Sequence, residues 1–122
     1  MKLTELEPQF MTYETRPYPS VDAGNYIHRV DTLVEAQGII FLCPVCFAKN
    51  NGPVGTHAIE VSFAGRDVQD HQGSHSRDGQ PVRWNASGST YDDLTLTPSI
   101  LIDECKPACD GWHGFITNGA IT

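Results

Sequence analysis

The sequence reads FLCPVCF at residues 41–47, and this stretch decides the fold. Cys43 and Cys46 are separated by two residues, on a turn that contains Pro44. Two thiolates at this spacing can both reach a tetrahedral Zn²⁺, which takes four nitrogen or sulfur ligands. The other ligands can come from residues 105–113, which read CKPACDGWH. We interpret the two stretches as one zinc site that joins the two halves of the chain.

The second pair of zinc ligands has two solutions. Cys109 and His113 lie four residues apart and could turn to one ion across the Asp-Gly bend between them. Cys105 with Cys109 would instead give a site made only of sulfur. His57 is a less favoured fourth ligand, and we expect it to support a ligand by hydrogen bonding or to be an ordinary strand residue. Spacing alone leaves the first two solutions open.

A redox pair is the main alternative to a metal knuckle at Cys43 and Cys46. In redox pairs a following helix lowers the pKa of one thiol, whereas residues 47–52, FAKNNG, run soon into turn-forming residues. The chain has four cysteines, and cysteines in a reducing cytosol bind metal more often than they form disulfides. The sequence therefore favours zinc.

Size and charge exclude several classes of protein. A chain of 122 residues predicts a single domain over 1–122, and its 11 glycines and 8 prolines favour turns and short strands. The net charge of −7 argues against nucleic acid as a partner, because such binding rests on lysines and arginines. The acidic start of the chain does not fit a signal peptide, and no apolar run could span a bilayer. We expect synthesis in the cytosol and no membrane partner.

The predicted fold is mostly β, a small α+β domain of antiparallel hairpins held by zinc. Residues 1–20 form an extended N-terminal arm, which either folds back over the core or wraps a partner. Residues 21–63 contain one short helix from Asp31 to Gln37, a buried strand, the zinc knuckle and a second strand. Residues 64–80 form a long surface loop. Residues 81–122 supply further strands, the second ligand pair and a hairpin that turns at Asn118-Gly119.

Other polar and aromatic residues receive structural interpretations. His71 and His75 could bind a second metal, but Gly73 between them disfavours a helix, so we expect a solvated loop. Trp84 and Trp112 are predicted to be core residues. The sequence shows no phosphate-binding loop, no nucleophile elbow and no setting typical of a catalytic serine.

Four motifs carry a resemblance to a known family: FLCPVCFA at 41–48, GPVGTH at 52–57, DDLTL at 92–96 and GWHGFITNG at 111–119. Most of the chain resembles small phage and prophage proteins that are classed as a domain of unknown function and are sometimes labelled ammonia monooxygenase. The resemblance implies a phage or prophage origin and a metal site completed by Cys109 and His113. The chain departs from the pattern in its longer Cys-Asp-Gly-Trp-His spacing and in Cys105. The monooxygenase label has no support, because that chemistry needs copper or iron held by histidine and carboxylate clusters.

The functional prediction follows from the number of ligands. Cys43, Cys46, Cys109 and His113 would form a closed site, and a closed zinc site is structural. We therefore predict one structural Zn²⁺ and a non-enzymatic phage-type protein that contacts other proteins, either in the virion or in the host cytoplasm. The alternative is a zinc hydrolase with an open metal position. Its general base would be one of three carboxylates: Glu60, Asp103 or Glu104.

Overall fold

Two antiparallel sheets of four strands each form the framework in the computed structural model, which describes residues 1–104 and 108–122. The first sheet has the order β2-β1-β3-β4 and the second β5-β6-β7-β8. Strands of the first sheet are β1 (Gln9–Arg16), β2 (Gly24–Arg29), β3 (Gly38–Leu42) and β4 (Ala58–Ser62). Strands of the second are β5 (Asn85–Ser87), β6 (Thr95–Ile102), β7 (Trp112–Thr117) and β8 (Ala120–Ile121). The predicted mostly β fold is confirmed.

Alternating burial explains why these segments are strands. In β7 the residues Trp112, Gly114 and Ile116 are buried, and those between them are exposed. The apolar faces of both sheets meet in one core, which includes Ile39 and Phe41 from the first sheet. Removing these side chains from water is the main stabilising term for such a fold.

Residues 3–16, within the stretch that was predicted to be an extended arm, form a 3₁₀ turn and a strand of the first sheet. After a 3₁₀ turn (Leu3–Leu6), β1 lies between β2 and β3 in the first sheet. Leu3 and Phe10 are buried, and the backbone N–H of Leu3 donates to the carbonyl of Gly119 at 2.8 Å. The N-terminus thereby ties the first sheet to the last hairpin.

One short helix is present, but it lies elsewhere than predicted. Helix α1 spans Pro44–Asn50, whereas residues 31–37 form a turn. Distant groups take the hydrogen bonds that a helix at 31–37 would need. The Arg66 guanidinium donates to the carbonyls of Leu33 (2.8 Å) and Ala36 (2.7 Å). The Gln37 N–H donates to the carbonyl of Met11 on β1.

Both predicted hairpins are present. Strands β3 and β4 pair from Gly38 opposite Ser62 to Leu42 opposite Ala58, and the knuckle lies in their connection. Strands β7 and β8 turn at Asn118 and Gly119, whose φ angles of 47° and 73° are those of the favoured two-residue hairpin turn. In the described part of the chain, no helix has the length and apolar character to cross a bilayer.

Candidate functional site

Three cysteines and one histidine converge at the end of the β3–β4 hairpin. The ligand atoms of Cys43, Cys46, His57 and Cys109 all lie within 4.8 Å of one another. The Sγ atoms of Cys43 and Cys109 are 3.9 Å apart. Two sulfurs on a tetrahedral zinc, each about 2.3 Å from the ion, would lie about 3.8 Å apart. The donor set and its spacing therefore fit one Zn²⁺.

Local structure explains how the knuckle is formed. Cys43 is the N-cap of α1, Pro44 occupies a first-turn position, and Cys46 follows in the helix. The N–H of Cys43 donates to the carbonyl of His57 at 2.9 Å, which brings the residue before β4 to the knuckle. A helix does begin directly after Cys43 and contains Cys46, contrary to the expectation used against a redox role. The third cysteine and the histidine now favour a metal site over a redox pair.

The thiols of the cluster differ in acidity. Burial raises the pKa of the Cys46 thiol to about 12. The N–H of Gly111 donates to the Cys109 sulfur at 3.3 Å and lowers the pKa of that thiol to about 7. Of these two thiols, that of Cys109 ionises more readily, and the thiolate is the form that binds metal.

The structure places the four predicted ligands at two locations. Cys43, Cys46 and Cys109 lie together, and the imidazole beside them is that of His57. His113 lies on β7, where successive side chains point to opposite faces of the sheet. Trp112 faces the core, so His113 faces outward. The rival ligand Cys105 lies outside the described residues.

His113 instead contacts a serine. Its Nε2 atom lies 2.9 Å from the Oγ atom of Ser99 on β6, within the range expected of a nucleophile and its general base. Ser99 is half-buried and His113 is exposed. Across the described residues the His113 ring makes this one hydrogen bond, so the arrangement is a Ser-His pair.

A bulge in β6 accounts for the position of Ser99. Leu96 pairs with Ile116 and Ile100 pairs with Gly114, so β6 advances four residues while β7 advances two. Pro98 lies in this bulge, where its missing N–H removes no sheet hydrogen bond. Such bulges commonly re-aim a side chain beside an active site.

Two features surround the Ser-His pair. The indole Nε1 of Trp84 donates to the carbonyl of Ser99 at 3.1 Å and holds the backbone at that point. A cavity of about 620 Å³ opens beside Ser99 and is bounded on its far side by the long loop between β4 and β5. Its walls are Glu60, Ser74, His75, Ser76, Arg77, Val82, Trp84, Pro98, Ser99, Leu101, Ile102 and Asp103.

The histidines of the long loop have separate partners. His71 Nε2 lies 2.9 Å from the hydroxyl of Thr15. The His75 ring nitrogens contact the backbone carbonyls of Gly73 and Asp70, at 2.9 and 2.6 Å. These contacts order the loop instead of presenting both rings to one ion.

Ser99 was not predicted from the sequence as a functional residue. Neither a glycine-flanked turn nor a recognisable motif surrounds it, and its partner lies 14 residues away on the next strand. The one available signal was a serine directly after a proline in a strand that precedes a histidine-bearing strand. That signal gains meaning only from the register of β6 with β7.

A family model matches residues 14–122, and its description is "Bacterial ubiquitination-like system serine protease (BubE)". The match covers the second sheet, the first sheet except most of β1, the cluster of Cys43, Cys46, His57 and Cys109, and the Ser-His pair. Comparisons with curated proteins and with solved structures give no match.

This match corrects the functional prediction. The prediction of a non-enzymatic phage or virion protein is wrong, because the family is described as a protease of a bacterial system. The alternative of a zinc hydrolase disagrees with the same description, and two of its suggested bases have other partners. The hydroxyl of Tyr13 donates to Glu60 at 3.1 Å, and Asp103 pairs with Arg77 at 2.9 Å. The chain belongs to the BubE family, the serine proteases of a bacterial ubiquitination-like system.

Proposed function

We propose that this chain is a serine protease in which Ser99 is the nucleophile and His113 the general base. The observation that carries the proposal is the 2.9 Å contact between Ser99 Oγ and His113 Nε2 beside a cavity. The family description supplies the reaction class. The name of the family also supports a polypeptide substrate, since a ubiquitination-like system acts on proteins.

The reaction follows from the roles of the two side chains. Ser99 Oγ attacks the carbonyl carbon of the scissile peptide bond while His113 Nε2 accepts the hydroxyl proton. His113 then gives this proton to the departing amine, and an ester joins Ser99 to the acyl part of the substrate. A water molecule, deprotonated by His113, hydrolyses the ester and restores the Ser99 hydroxyl. Nε2 must be free of a proton at the start, so the neutral ring carries its proton on Nδ1.

Trp84 acts as a positioning residue. Its indole contacts the Ser99 carbonyl and not the hydroxyl, so it fixes the backbone that carries the nucleophile. The side chain is buried, and its hydrogen bond is therefore protected from water. The rigidity of a nucleophile matters because small displacements of reacting groups reduce rates strongly.

The same proposal assigns one structural Zn²⁺ to Cys43, Cys46, His57 and Cys109. When bound, the ion supplies a cross-link between the β3–β4 hairpin and the segment before β7. Cys109 lies only four residues before His113. The link therefore supports the strand that carries the general base. Four protein ligands leave the ion no open position for substrate.

Covalent labelling tests the nucleophile without knowledge of the natural substrate. We expect an alkyl fluorophosphonate to add one phosphonyl group to the wild-type protein at Ser99, as measured by intact mass and peptide mapping. Ser99→Ala should abolish labelling. Ser76→Ala is the matched control, because Ser76 also lines the cavity but its hydroxyl accepts from the N–H of Gln80. Labelling that persists in Ser99→Ala would refute the assignment.

A further inference from the structure

Strand β6 has an open edge next to the nucleophile. β5 is only three residues long and pairs with the first part of β6, from Thr95 to Thr97. β7 covers the other side of β6 as far as Ile102, which pairs with Trp112. Residues 99–102 therefore extend past the end of β5, with no strand among the described residues beside them on that side.

The backbone of this edge points toward the cavity. Trp84 comes directly before β5, and its indole reaches the Ser99 carbonyl, so this carbonyl faces the β5 side. In a strand, residues two apart turn their N–H and C=O groups to the same side. Leu101 therefore presents a donor and an acceptor along the same edge, one step beyond the nucleophile.

The space in front of the edge suits an extended chain with apolar side chains. The cavity of about 620 Å³ lies between this edge and the long loop, and its size is typical of a ligand site. Val82, Trp84 and Leu101 contribute apolar walls. Leu101 is 61% exposed, which is high for a leucine in a strand that is paired on one side.

An ion pair limits the far end of the cavity. Arg77 in the long loop contacts Asp103, just after β6, at 2.9 Å. Both side chains line the cavity. The groove is thus bounded by the nucleophile at one end and by this ion pair at the other, with the open edge of β6 as its floor.

We propose that the edge of β6 at residues 99–102 binds the substrate as an added β-strand, in which an apolar side chain of an extended polypeptide occupies the cavity. This inference rests on the proposed function, because it places the scissile bond at Ser99. Strand addition uses the main chain of the substrate for affinity and alternate side chains for specificity. An unstructured segment or chain terminus could enter the groove, whereas a folded domain could not.

Peptidyl phosphonates test this inference on the wild-type protein. The probes are an alkyl fluorophosphonate, a tri-leucyl phosphonate, and versions of the latter with one N-methylated amide each. We expect the tri-leucyl probe to label Ser99 at least about tenfold faster than a tri-glutamyl probe, because an apolar side chain fills the cavity. N-methylation of one of two consecutive amides should remove most of this increase in labelling rate, and N-methylation of the other should leave it unchanged. The reason is that alternate amides of an added strand face the edge.

A variant pair adds a second test. Leu101→Asp should slow labelling by the tri-leucyl probe about tenfold more than it slows labelling by the alkyl probe. Ile27→Asp is the matched control, because Ile27 is 44% exposed on β2, in the other sheet, and does not line the cavity. A melting curve of each variant checks that it is folded.

The outcomes separate the two proposals. No labelling of Ser99 by any probe overturns the proposed nucleophile and with it this inference. Labelling by the alkyl probe with equal rates for leucyl and glutamyl probes overturns only the apolar groove. Equal sensitivity to N-methylation at consecutive amides overturns strand addition. Faster labelling by the leucyl probe with alternating sensitivity establishes both parts of the inference.

Discussion

His113 forms its hydrogen bond with Ser99 although Leu101 is the residue directly opposite it in the sheet. Ser99 and Leu101 lie two residues apart on β6 and share one face, so Ser99 is the diagonal neighbour of His113. The bulge at Pro98 lies immediately before this pair. The contact therefore depends on the register of β6 with β7, and not only on the presence of the two residues.

Replacing the general base should separate catalysis from folding. We expect His113→Asn to slow fluorophosphonate labelling of Ser99 by about 10²- to 10⁴-fold, because the serine loses its proton acceptor. The melting temperature should change little, since His113 is exposed. His71→Asn is the control, because His71 is also exposed and hydrogen-bonds a hydroxyl, that of Thr15. Equal labelling of wild type and His113→Asn would contradict the role of His113.

Trp84→Phe should affect both stability and labelling. The variant keeps most of the aromatic ring but removes the donor to the Ser99 carbonyl, which should cost about 1 kcal/mol of unfolding free energy in urea denaturation. A Trp84 that only packs in the core would lower stability without changing the labelling rate of the folded protein. A positioning residue should lower that rate as well, measured well below the unfolding midpoint. An unchanged labelling rate would show that Trp84 contributes to packing and does not position Ser99.

The strands could be predicted from the sequence because their signals are local. A continuous apolar run at 39–42 marked β3, β-branched and aromatic residues marked β4, and Asn118-Gly119 marked the last turn. The helix was predicted at the wrong position because the conformation of residues 31–37 depends on Arg66. This residue lies some thirty positions away and donates hydrogen bonds to two carbonyls of the segment. Local capping signals cannot report such a competitor.

The site was harder to predict for the same reason. Spacing predicted Cys43 and Cys46 as one ligand pair but left the second pair open between Cys109 with His113 and Cys105 with Cys109. Alternation within β7 could have shown that Trp112 and His113 face opposite sides. The pairing of Ser99 with His113 could not be read locally. It requires the register of two strands and the two-residue offset of a bulge, which only the folded sheet defines.

The turn before β6 should lose stability at low pH. Oδ1 of Asp93 accepts from the N–H groups of Thr90 and Ser89, both at 2.8 Å, and these bonds lower the pKa of the carboxyl. Because the pKa of this carboxyl is lower in the folded than in the unfolded state, its ionised form stabilises the fold at pH values above the unfolded pKa. This contribution is lost as pH falls through the lower, folded value.

Asp93→Ala tests this dependence. The variant should be less stable than wild type at pH 7, and the difference should shrink as pH falls below about 4, as measured by urea denaturation across pH. Asp92→Ala is the control, because its side chain lies in the same turn and is exposed. A difference between wild type and Asp93→Ala that stays constant down to pH 2 would show that ionisation of Asp93 does not contribute.

Metal content should distinguish the two candidate imidazole ligands. We expect His57→Ala to lose zinc, as measured by mass spectrometry of the metal, and His113→Ala to retain one ion per chain. The reason is that His57 lies with the three cysteines whereas His113 contacts Ser99. Cys43→Ser should unfold the domain, because structural zinc contributes on the order of 10 kcal/mol in small metal-bound domains. Retention of zinc by His57→Ala together with its loss from His113→Ala would restore the ligand set predicted from the sequence, and would remove His113 from the role of general base.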